Sequence, residues 1–229
     1  MATAGTAERG ILAIWHDIEP NHVGDVLTWY DAEHHFERLD IPGFLNVRRY
    51  HALKATPQLF IRYETTDANV LASPLYLERL NHPTLGTQQA QPHFRNNSRT
   101  VCARVVWSGR AEGGFVVTAR QDEAGAAAAG AMWPCLVADL LGSAEAGRGT
   151  PGIVGAELWR AQTGASTIAS AEKRLRGAAD AHVGGVVVVH ATGSAAAEAA
   201  ADRLRQALSD AEPASIGIYA LAFAAYNPS

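Results

Sequence analysis

The 229-residue chain contains only two cysteines, Cys102 and Cys135. They lie outside any Cys-x-x-Cys or Cys/His spacing, which argues against a disulfide framework or a structural zinc site, so both read as core thiols. The chain also lacks an excess of positive charge: 19 Lys and Arg against 23 Asp and Glu leave a formal net charge of -4. Nothing electrostatic draws it to a phosphate backbone, and nucleic acid is not an expected partner. No stretch reaches the roughly 20 uninterrupted apolar residues of a membrane span. The N-terminal residues carry neither a basic nor an apolar leader pattern, so a cytoplasmic protein that does not engage membranes is expected. The nine histidines include no HxxxH, HxH or HExxH spacing, and no GxGxxG, Walker or GxSxG motif occurs. Gly184-Gly185 precedes a strand instead of joining a strand to a helix. A nucleotide, a nucleophilic serine and a bound metal are therefore not expected, and neither is any cofactor.

Apolar residues make up 48% of the chain and charged ones 18%, ample for a core. Gly10 to Ile18 reads as a buried strand. His22 to Leu39 has helical spacing and is stopped by Pro42-Gly43. Leu45 to His51 and Gln58 to Glu64 read as a hairpin. Asp67 can cap a helix over 68–80, and Val101 to Trp107 reads as a fourth strand. The order is β-α-β-β-α-β. It recurs as a strand at 114–120, an Ala-rich helix at 122–141, strands at 153–160 and 186–190, a helix at 195–208 and a strand at 216–223. The Pro-Gly turn at 42–43 returns at 151–152. Residues 162–181 form an insertion in the second copy with a helix-like stretch at 169–178, placed to act as a lid or partner surface. Residues 81–97, polar and without period, read as a long loop.

One βαββαβ unit covers only one face of its sheet with helices, and two can bury their open faces against each other. The expected fold is α+β: two tandem ferredoxin-like βαββαβ units, 9–110 and 113–227, packed sheet to sheet as an intramolecular pseudo-dimer. The enclosed interior is the expected pocket.

The run Trp29-Tyr30-Asp31-Ala32-Glu33-His34-His35, then Ile41-Pro42-Gly43-Phe44, then Arg48-Arg49-Tyr50, resembles the dimeric α/β-barrel superfamily, and most closely its EthD-like members. The motif covers residues 29–50. The second copy has Asp139-Leu140-Leu141-Gly142 where the Glu-His pair would stand, so one site per chain is expected. The resemblance implies a small, mostly apolar cyclic or aromatic substrate and one or two proton-moving side chains. It does not fix the reaction, since fold does not imply function.

His34 is the first candidate, because imidazole gives and takes protons near neutral pH. It shares a helix face with Tyr30, and adjacent helical residues diverge, so His34 and His35 cannot both face the sheet; where Tyr30 and His34 are simply packed, His35 and Glu33 are in solvent. In the leading reading His34 is general acid or base, Glu33 or Tyr30 orients it or shares its proton, and Arg48 or Arg49 holds the oxyanion. The simpler alternative makes His34 a packed core residue and the arginines partners of Glu33, Glu37 or Glu64. Trp15, His51, Tyr63, Trp107 and His93 are expected to line the substrate, His93 carried over the pocket by the 81–97 loop. The expected function is a cofactor-independent lyase or isomerase of dehydratase, cyclase or lactone-isomerase type, acting on a small cyclic or aromatic carbonyl compound. The alternatives are a non-catalytic binding or stress-response barrel and a small monooxygenase, cofactor-free or haem-dependent. A homodimer is compatible with the pattern.

Overall fold

The computed structural model describes residues 8–130, 132–141, 150–208 and 215–228. Residues 1–7, in which no leader is expected, Ala131 of the Ala-rich helix and Gly142 lie outside the described residues. The first half starts with β1 (Gly10–Ile18) and α1 (Val23–Trp29), which passes through a π-helical turn (Tyr30–His34) into α2 (His35–Leu39). The Pro-Gly turn follows. Gly43 there has φ of 95°, a left-handed conformation glycine adopts without strain. β2 (Phe44–Lys54) and β3 (Leu59–Thr65) form the expected hairpin.

The single helix expected over 68–80 is split. Asp67 caps a 3-10 turn (Ala68–Ala72), and Ser73 caps α3 (Pro74–Asn81), whose proline occupies the first turn where no amide partner is needed. The stretch expected as a loop contains α4 (Leu85–Ala90), capped by Thr84, and a 3-10 turn (Gln91–His93) before β4 (Phe94–Gly109) begins. A two-turn helix of Gly, Thr and Gln that buries only Thr87 and Ala90 carries too little apolar material to show a period. β4 starts early on polar residues that read as loop.

The second half comprises β5 (Phe115–Gln121), α5 (Glu123–Ala129), α6 (Met132–Leu141), β6 (Ile153–Ala161), α7 (Thr163–Ser166), α8 (Ala171–Leu175), β7 (Gly185–Ala191), α9 (Ser194–Ala207) and β8 (Ser215–Tyr226). Gly152, before β6, repeats the left-handed conformation of Gly43, with φ of 83°. The insertion holds two short helices in place of the expected single one, α8 being capped by Ser170.

All eight strands close into an antiparallel barrel in the order β1-β3-β2-β8-β5-β7-β6-β4. Each half contributes a four-strand run of the same internal order, β4-β1-β3-β2 and β8-β5-β7-β6, joined where β2 meets β8 and β4 meets β6. Period-two alternation sorts the side chains. On β3, Leu59, Ile61 and Tyr63 face the helices of the first half, while Phe60 enters the barrel.

The barrel interior is not the pocket expected from sequence. Trp15 stacks on Phe60 at 4.7 Å between ring centroids, and Tyr50, Trp159 and Tyr219 fill the space around them. Eight strands leave an interior wide enough for side chains and little more. Toward one end lies an ionic cluster. Arg62 on β3 donates to Glu157 on β6 at 3.0 Å, both with fully buried side chains, and also pairs with Glu112. His190 stands 2.7 Å from Glu157, and Arg104 completes the group at 3.3 Å.

Removing one member of a buried pair strands the other charge, at a cost of about 3–5 kcal/mol. Arg62→Met should therefore lower the urea unfolding free energy by about that amount. Arg62→Met combined with Glu157→Leu should lose clearly less than the sum of the two single losses. Additive losses would show that the two groups are energetically independent.

Candidate active site

A regular α-helix turns about 100° per residue and would send His34 and His35 to different environments. The π turn alters this: the His35 amide bonds back to the Tyr30 carbonyl, five residues earlier, so an extra residue is accommodated. Both imidazoles turn inward, His34 at 6% and His35 at 0% exposure. The expectation that His35 is solvated is therefore wrong. His35 Nδ1 lies 2.8 Å from the Tyr63 hydroxyl, and its ring stacks on Tyr30 at 4.8 Å and on Phe223 at 4.9 Å.

His34 borders a small cavity of about 30 Å³ between the helices of the first half and the outer face of the sheet, lined also by Tyr30, Tyr63 and Phe94. Its ring packs 4.3 Å from Trp29. Its Nδ1 lies 3.6 Å from Glu37 Oε2, and neither atom has a hydrogen-bond partner. Burial, and then the Arg38 charge, hold the His34 pKa below the ordinary value, so the ring is neutral at pH 7. Glu37 is held below its usual range because the His34 contact and the Arg38 and Arg79 charges outweigh the upward effect of burial.

Three guanidinium groups border the same cavity. Arg38, on α2, pairs with Glu172 on α8. Arg176, just beyond α8, holds Asp180 at 2.7 Å and donates to Gln91 at 2.8 Å. Arg99, on β4, donates to the Tyr76 hydroxyl at 2.7 Å. It is 7% exposed, and no carboxylate of the described residues lies within ion-pair distance of it. On the same side, Tyr30 donates to His16 Nε2 at 3.0 Å while His16 Nδ1 gives its proton to the Asp17 carbonyl at 3.1 Å. Burial raises the phenols of Tyr30 and Tyr63 well above their ordinary value.

Among the residues singled out from sequence, His34, Tyr30 and Tyr63 meet here. Glu33 does not orient His34: it accepts from Thr84 ahead of α4, and Glu37 stands beside the imidazole instead. Arg49 lies on the helix-facing side of β2 but is engaged by Asp31 at 2.8 Å. Arg48 points toward Glu112. Strand alternation separates them, and neither borders the cavity.

Trp15 belongs to the barrel core. Trp107 donates to its neighbour Gly109 at 2.8 Å, beside Arg104. His51 is half-buried on β2 away from the cavity, and His93 pairs with Glu19 at 2.7 Å. Of the tract His93-Phe94-Arg95, only Phe94 reaches the pocket.

Arg38, Arg99, Glu172 and Arg176 were missed from sequence. Arg38 was findable, standing four residues after His34 on the same helical face; the others arrive from β4 and the insertion.

The metal-capable group Glu112, Glu157 and His190 is already neutralised by Arg62 and Arg104. At about 30 Å³, far below the roughly 300 Å³ of even small ligand pockets, the space beside His34 takes neither haem nor a ring-sized ligand without movement of the elements around it.

No protein-family model matches the chain, and no curated protein is significantly similar to it. Solved structures do resemble it. An anthrone oxidase-like protein superposes with a TM-score of 0.57 at 12% identity, covering 100% of this chain and 97% of that one. A chain described as a candidate monooxygenase from Lactobacillus acidophilus NCFM gives 0.55 at 9% identity over 96% and 97%. A chlorite dismutase variant from Candidatus Nitrospira defluvii gives 0.53 at 10% identity over 96% and 92%. The chain has the dimeric α/β-barrel fold. At these identities the likeness extends to the fold alone. No helix among the described residues is long and apolar enough to cross a membrane.

Burial lowers His16 to a pKa of about 4 and also lowers His34 and His35. In the unfolded chain these groups return to about 6.5. Between those values the unfolded state binds protons the folded state refuses, so stability falls as pH falls from about 6.5 toward 4. Thermal unfolding at successive pH values should show this decline, and His16→Gln should flatten part of it. An unchanged slope in that variant would mean that His16 is not held neutral.

Proposed function

We propose that the chain is a fused pair of ferredoxin-like, EthD-like units, and that the first of them is a cofactor-independent lyase or isomerase. Its substrate is a small cyclic or aromatic carbonyl compound. The observation that carries this reading is the arrangement around His34: a neutral buried imidazole, a carboxylate at Nδ1, and buried guanidiniums on the same cavity.

The Glu37 charge, 3.6 Å from Nδ1, favours the tautomer with its proton there and leaves Nε2 as the basic nitrogen, the division of labour that makes a histidine an effective proton acceptor. A carbon acid whose carbonyl oxygen faces Arg99 or Arg38 loses its proton to His34 and becomes an enolate. The guanidinium stabilises the oxygen charge, and the proton returns at another position or assists departure of a leaving group. Because Arg99 has no carboxylate partner, an anionic oxygen is the natural complement to it.

The small cavity has room for water and not for a ring. Substrate entry therefore requires α8 to lift, with the substrate oxygen replacing Glu172 on Arg38. The insertion serves as the lid. The same small cavity also favours a competing reading, a barrel in which His34 is only packed, and the two separate experimentally.

Deuterium incorporation from D₂O into a panel of cyclic ketones, lactones and phenolic acids reads proton transfer directly. A responsive compound should exchange with a rate that rises with pH through a pKa below 6.5, as the depressed His34 requires. His34→Gln should reduce that rate by about 100-fold or more while leaving the fold intact. Arg99→Met should chiefly weaken binding. Exchange that persists in His34→Gln would remove His34 from the chemistry, and binding without exchange in the whole panel would favour the packed barrel.

A further inference from the structure

We infer that Glu19, His22 and His93 form a binding site for a divalent transition-metal ion of the zinc or cobalt type, separate from the His34 pocket and independent of its proposed role. The three side chains come from two segments that the backbone locks together. The Glu19 amide donates to the His93 carbonyl at 3.0 Å, and the His22 amide donates to the Glu19 carbonyl at 2.9 Å, closing the 3-10 turn Pro20–His22. A Glu-x-x-His pair on one tight turn thus faces a histidine from the turn ahead of β4.

One ligand atom from each of the three lies within 4.8 Å of the others. The imidazole rings of His22 and His93 stack with centroids 3.4 Å apart and 13° between planes. Their lone pairs lie in nearly parallel planes, so the His22 ring turns to bring both nitrogens onto one ion. His93 Nδ1 stands 2.7 Å from Glu19 Oε2, and the two atoms part slightly to reach the roughly 3.4 Å between ligands each about 2.1 Å from a tetrahedral ion. A metal there takes the place of the bridging proton. Arg95 pairs with the other carboxylate oxygen, leaving Oε2 for a single bond to the ion.

His22 makes no side-chain hydrogen bond among the described residues, so a ring nitrogen is available to complete the set. The three groups are each partly exposed, which allows the small contraction that coordination requires. Two imidazoles and one carboxylate suit borderline metals and not calcium or magnesium, which prefer oxygen alone. Three protein ligands leave coordination positions open. Both histidines line a surface groove of about 570 Å³ between α1 and α4, with Asp25, Trp29 and Glu33 among its walls, and that groove gives water or an organic ligand access to the ion.

Titration of the whole chain with Co²⁺, read by visible absorption, and with Zn²⁺, read by calorimetry, tests the site. One ion per chain should bind and raise the melting temperature. His22→Gln, at the partly exposed edge of the turn, and His93→Ala should each weaken binding by more than about 10–100-fold, the cost of losing a mere outer-shell partner. His82→Ala, at an exposed histidine elsewhere, should leave binding unchanged. Absence of saturable binding would overturn the inference, and so would one-to-one binding that survives both substitutions in a chain whose circular dichroism matches the parent.

Discussion

The Arg62–Glu157 ion pair is the constraint on which the rest of the barrel is arranged. β3 and β6 are not neighbours in the closed sheet, so the pair spans the interior and ties one half of the chain to the other. Burial alone would raise the Glu157 carboxyl, but the Arg62 charge, the His190 bond and Arg104 outweigh it and hold the group far below the usual carboxylate range. Such a pair contributes less to net stability than its closeness suggests, since both ions give up their water. What it supplies is a penalty on alternatives: a register slip on β3 would carry Arg62 out to the helix side and strand Glu157 without its main partner. With the aromatic layer of Trp15, Phe60 and Trp159 beside it, the interior is closed to ligands. The cavity beside His34 lies instead on the outer face of the sheet.

On the outer face of the first half, one backbone irregularity decides what is possible. Without the π turn at Tyr30–His34, either His34 or His35 would face water, and the helix would present one imidazole at most. With it, His35 seals the sheet through Tyr63 and Phe223, and His34 is left with an unpartnered nitrogen toward Glu37. The two histidines thus occupy different settings, His35 fully hydrogen-bonded at one nitrogen and His34 bordering the cavity, where sequence spacing turns only one of them inward. A π turn costs regular hydrogen bonding and survives where the surroundings require it. Here Trp29 and Tyr30, packed against Phe94, hold the bulge from the apolar side.

The order of strands and long helices was legible because each rests on local information. β1 is a continuous apolar run, and the two Pro-Gly turns place left-handed glycines at matching points of both halves. The filled barrel was not legible. Alternation shows that Phe60 and Arg62 share a face, but not how wide the enclosed space is once Trp15 and Trp159 enter it from other strands. Within the site, Tyr30, His34 and Tyr63 could be found from periodicity. The arginine set could not, since Arg99 and Arg176 stand 77 residues apart in sequence and are brought together only by the closed barrel and the insertion. Glu33 misled because it adjoins His34 in sequence, whereas adjacent helical residues diverge and the carboxylate that stands beside the ring is Glu37, three residues on.

The asymmetry of the two halves follows from the same physics. In the second half the space between sheet and helices is filled by Val117, Val137, Leu158, Leu204 and a layer of alanines, so that sheet is stabilised by burial alone. In the first half the corresponding space contains His34, Arg38 and Arg99, which must be desolvated and therefore lower the stability of that half. The second half compensates in two ways: it supplies Glu157 to the buried pair, and it sends α8 across to place Glu172 on Arg38 and Arg176 on Gln91. Without the second half, Arg38 would lose Glu172 and Arg62 would lose Glu157, its fully buried partner. The apolar filling of the second half is thus matched by charge it supplies to the first, and the buried guanidiniums of the first half depend on that supply.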